Sequence, residues 1–111
     1  MRYQPLEPVS KDEAESRFAS GDAQLTAETL ISIALNYPDN AWVEKYISRF
    51  AAHQHPDVRR AAALSLGHLA RIHGYVGDSA LTAVQALIDD EDVSGAADDA
   101  LEDVKMFTQR K

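Results

Sequence analysis

The apolar residues of this chain fall in a helical rhythm. Trp42, Val43, Tyr46, Ile47 and Phe50 recur at steps of three and four, which places them on one stripe of a helix. The stretch "HPDVRRAAALSLGHLARIHG" does the same with Val58, Ala62, Leu66 and Leu69, and "DSALTAVQALI" with Leu81, Val84, Leu87 and Ile88. Short polar breaks rich in turn residues, "SGD", "YPDN", "QHP", "GYVGD" and "DDED", separate the periodic segments. Ser10 and Glu13 are spaced as a capping box for a first short helix that stops at Gly21. Asp39 or Asn40 is placed to cap the third helix, and Asp78 or Ser79 the fifth. The pattern predicts six helices and no strand.

The helices repeat. Asp22, Asp57 and Asp92 lie 35 residues apart, each opening a periodic segment. The same step relates Ala23, Val58 and Val93; Ala27, Ala62 and Ala97; Ile31, Leu66 and Leu101; and Ala34, Leu69 and Val104. Within each unit these positions share one face, so three helices are expected to bury equivalent stripes. Paired with the helices before them they make three antiparallel hairpins, over about 10–37, 38–73 and 78–107. Residues 10–111 are read as one domain, and residues 1–9, with Pro5 and Pro8, as an extended lead-in.

The middle unit carries a family signature. Val58, Arg59, Ala61, Ala62, Leu66, Gly67 and Leu69, behind the Pro56–Asp57 turn, resemble the second helix of a HEAT repeat. Val93, Ala96, Ala97, Leu101 and Val104 repeat it more loosely. The resemblance implies an all-α fold, the hairpins stacked as a short right-handed α-solenoid whose second helices line a concave binding side. A plain bundle of the same hairpins would bury nearly the same residues. Gly67 lies inside a helical segment, where glycine costs up to about 1 kcal/mol relative to alanine, so a close contact is expected there.

Charge narrows the function classes. The net charge is −7, which argues against a nucleic-acid binder. From Ile72 to Val104 there is no lysine or arginine among nine carboxylates, so this window carries −9 and the rest of the chain +2. The absence of cysteine excludes disulfides and thiolate metal sites. No segment reads as a secretory signal or an 18-residue membrane span, so a cytoplasmic protein is expected.

Candidate chemistry is sparse. His53 and His55 fall in a turn, His68 and His73 on the helix after it, and no "HExxH" spacing joins them. "GxSxG", "GxGxxG" and "GxxxxGK[ST]" are absent. "DDED" lacks the order of a calcium loop, and Asp92 is better placed to cap the last helix. No cofactor and no metal is expected, and no catalysis.

Two surfaces are candidates for a partner. Asp98, Asp99, Glu102 and Asp103 include two like-charged i, i+4 pairs, which repel by a few tenths of a kcal/mol each. A basic partner would relieve that repulsion. The second surface is the stripe Arg60, Leu64, His68 and Arg71, expected to face away from the buried positions. Its repeat equivalents are Gly95, Asp99, Asp103 and Met106 on one side, and Leu25, Thr29, Ile33 and Asn36 on the other. The expected function is a non-enzymatic protein-binding module, most concretely an acidic immunity protein or antitoxin that blocks a basic, nuclease-type toxin. A general adaptor or chaperone subunit is the alternative. A metal-dependent repeat enzyme using His53, His55 or His68 ranks below both. Membrane association is not expected, and the chain is read as a monomer or weak dimer.

Overall fold

The computed structural model describes residues 9–108, and among these the chain is all-α. Six helices follow in order: α1 (Lys11–Phe18), α2 (Ala23–Asn36), α3 (Asn40–Phe50), α4 (Pro56–His73), α5 (Asp78–Gln85) and α6 (Ser94–Thr108). One 3₁₀ turn, Ala86–Asp89, extends α5 and accounts for the exposed Ile88 at the end of the predicted stripe. The expected lead-in, apart from Val9, lies outside the described residues.

The helix starts show how far local sequence controls each element. Ser10 Oγ accepts from the Glu13 amide at 3.0 Å, while the Glu13 side chain turns to Arg17 instead of closing the box. Asp22 and Asp39 cap α2 and α3 by accepting from Leu25 and Trp42 amides. α4 opens with His55 Nδ1 accepting from the Asp57 amide and Pro56 in the first turn. α4 ends at Gly74, whose φ of +68° is the left-handed conformation that glycine adopts without strain.

Two starts differ from expectation. α5 has Gly77, not Asp78 or Ser79, at its N-cap, and the Gly77 amide donates to the Glu44 carboxylate of α3 at 3.0 Å. That cap lies 33 residues away, so no local spacing announces it. Asp92 does not cap α6. Its carboxylate meets Arg59 and its carbonyl accepts from Arg60, while α6 begins two residues later.

α4 is the spine of the molecule. It packs along α2 on one flank and α6 on the other, with α3 and α5 against it as well. α4 and α6 run side by side in the same direction. Arg60 meets Asp92, Arg71 meets Asp103, and Gly74 approaches the Phe107 backbone. At Gly67 a Cβ would lie 3.5 Å from Ala100 Cα and 2.9 Å from Asp103 Oδ2. The glycine therefore allows the two helix backbones to approach, which answers its low helix propensity. Val58, Ala62, Leu66 and Leu69 are buried on α4, and Val93, Ala97 and Val104 at the equivalent places around α6.

α2 departs from the repeat register. Thr29 and Ile33, expected on an open stripe, are 1% and 0% exposed, whereas Ala27 and Ile31 are only partly covered. Among the described residues, α2 has α1, α3 and α4 against it but no helix corresponding to the one that covers α4's other flank. Its apolar centre is accordingly turned toward Leu30, Ile33 and Ala34, all fully buried.

The aromatic end of the same core ties α1 to α3. Phe18 lies 4.6 Å from Tyr46 and 5.0 Å from Phe50, ring centre to ring centre, and Trp42 packs edge-on against Tyr46. Glu15 accepts from the Tyr46 hydroxyl at 2.9 Å and from the Trp42 indole at 3.5 Å. These bonds lower the Glu15 pKa, with the Tyr46 bond the larger cause.

Candidate partner-binding surface

The predicted stripe of α4 exists, but it is not a row of free side chains. Leu64 and Arg71 are exposed, and Arg60 and His68 are half-buried. Arg60 donates to Asp57 Oδ1 at 2.8 Å and to the Asp92 carbonyl at 3.0 Å. Arg71 donates to Asp103 Oδ2 at 2.6 Å and, through its other terminal nitrogen, contacts His68 Nδ1. The two surfaces proposed from sequence are thus joined: Arg71 of one and Asp103 of the other form a bridge between α4 and α6.

His68 sits under that bridge. Desolvation, followed by the Arg71 charge, lowers its pKa, while Asp103 pulls the other way. A neutral ring lets Nδ1 accept from the guanidinium, and a proton there would remove the acceptor. As pH falls below the free histidine value of about 6.5, the unfolded chain takes up the proton first. Stability from this group is therefore complete above that value and declines toward the lower folded pKa. Thermal midpoints measured between pH 7.5 and 5 should fall less steeply for His68→Gln than for the parent chain. Equal slopes would mean that the ring titrates alike in the folded and unfolded states. Glu15 acts in a separate window, its contribution being lost only as pH falls through and below the ordinary carboxylate range.

The acidic helix is divided between two sides of α6. Asp103 is partly buried and held by Arg71. Asp98 and Glu102 turn toward α5 and line a cleft with Leu81, Gln85, Leu101, Val104 and Lys105. Glu102 lies 3.8 Å from Lys105, with both side chains largely exposed. Asp98 and Asp99 are exposed and in no ion pair among the described residues.

Arg59 is the residue whose role sequence reasoning missed. Its side chain, 16% exposed, donates to Asp90 at 2.8 Å and to the carbonyls of His53 and Gln54 at 2.9 Å each, and reaches Asp92 at 3.4 Å. Two of the nine carboxylates in the acidic window are therefore engaged in joining turns. The available signal was the placement of "DDED" one repeat length after the "QHPD" turn that precedes Arg59. His53 and His55 serve the same turn, each accepting a backbone amide.

Among the described residues, no three histidine, aspartate or glutamate side chains are grouped as a metal site would need, and no helix is long and apolar enough to cross a membrane. No family model and no curated protein matches the chain. A solved structure does. The chain is similar to one in the crystal structure of a CDI complex from Cupriavidus taiwanensis, with a TM-score of 0.78 and 30% sequence identity over 96% of this chain and 97% of that one.

Proposed function

This chain belongs to the same family as that chain of the CDI complex, and from this membership we propose that it is an immunity protein of a contact-dependent inhibition pair. It binds one toxin domain, covers what that domain needs for its activity, and performs no catalysis of its own. The match over nearly the full length of both chains carries the reading. The charge distribution supports it. After Arg59, Arg60 and Arg71 have engaged their partners, exposed carboxylates remain on α6 to attract a basic domain and speed its capture. In this reading the three hairpins stack as a short HEAT-like right-handed solenoid, and the protein acts in the cytoplasm, where an imported toxin would meet it.

The test is protection. Cells expressing the cognate toxin domain should stop growing, and co-expression of the chain at equal level should restore growth. Arrest that persists despite a stoichiometric amount of folded chain would overturn the reading.

A further inference from the structure

We infer that the cleft between α5 and α6 receives a long basic side chain, arginine or lysine, from the toxin domain. The inference rests on the immunity reading and assigns its contact point. The cleft measures about 320 Å³, space for a side chain rather than a helix. Leu81, Leu101 and Val104 give it an apolar lining, and the exposed carboxylates Asp98 and Glu102 stand beside Lys105 at its edge. That combination matches a side chain with an aliphatic stem and a cationic head. Asp98 has no cation in the described chain, and Lys105 holds Glu102 at only 3.8 Å through two exposed side chains. The competing surface is already occupied, because Arg71 is bound to Asp103 and Arg60 to Asp57 and Asp92. The like-charge pair Asp98–Glu102, unfavourable in the free helix, becomes favourable when one cation sits beside both carboxylates.

Binding kinetics of the chain with an inactivated form of its toxin domain test the assignment. Gln85→Trp fills the cleft from an exposed position on α5, and Asp98→Lys reverses its rim. Asp99→Lys makes the same charge change one residue around the helix, outside the cleft. Asp98→Lys and Asp99→Lys lose the same electrostatic steering and Gln85→Trp loses none, so dissociation is the deciding quantity. Gln85→Trp and Asp98→Lys should weaken affinity roughly 100-fold through faster dissociation, and Asp99→Lys only a few-fold through slower association. The milder Asp98→Asn should fall between them, and unchanged helical content and thermal midpoint show that each variant is folded. If the parent binds and the cleft variants dissociate at its rate, the cleft assignment is overturned while the immunity reading stands. If the parent neither binds nor protects, both fall together.

Discussion

Gly67→Leu should lower stability by about 2–3 kcal/mol, a fall in thermal midpoint of roughly 10 °C. The reason is distance. A Cβ at this position would already stand 3.5 Å from Ala100 Cα, and further branches would have to enter the space of the α6 backbone. Gly67→Ala separates contact from propensity. Its added methyl meets Asp103 Oδ2 at 2.9 Å, the end of a side chain that can swing, while the helix gains up to about 1 kcal/mol from losing glycine. The alanine variant should therefore stay within about 1 kcal/mol of the parent and release the Arg71–Asp103 bridge. Urea unfolding of the three proteins decides the matter, and a leucine variant as stable as the alanine one would mean that the helices do not meet here.

Arg59→Ala should lower stability by about 3 kcal/mol. The guanidinium is mostly buried and joins the turn before α4 to the turn before α6, so its removal takes the donor from Asp90 Oδ2 and from two carbonyls, leaving Asp90 only the Asp92 amide. Arg59→Lys keeps the charge but cannot present the fork, so it should recover less than half of the loss. Full recovery by lysine would show that charge alone holds the two turns. The comparison also bears on the acidic surface, since loss of Arg59 frees Asp90 and Asp92 without altering Asp98 or Glu102.

What the sequence could disclose divides along the range of the interactions. Asp22, Asp39 and Ser10 cap helices within three residues, and the apolar period of α3 and α4 is set by their own spacing, so these were readable. Glu44 capping Gly77 and Arg59 reaching Asp90 connect residues more than 30 apart, and nothing in local spacing points from one to the other. The repeat gave the equivalent helices but not their rotation. It placed Thr29 and Ile33 with Leu64 and His68, because a register of 35 treats every unit as having the same neighbours. α2 and α4 do not have the same neighbours, and burial follows neighbours. The acidic helix was visible as composition. Its division into Asp103, held by Arg71, and Asp98 with Glu102, facing a cleft, required the position of α4.

The place of α4 between α2 and α6 also shapes how the chain comes into being on the ribosome. One flank of α4 can be covered by a helix synthesised before it, but the other belongs to a helix that follows about twenty residues later. In that interval, Gly67 and the apolar residues around it present an open strip to the surroundings. Nascent chains at this stage are the species to which a holdase would bind, and completion of α6 is the event that would release it.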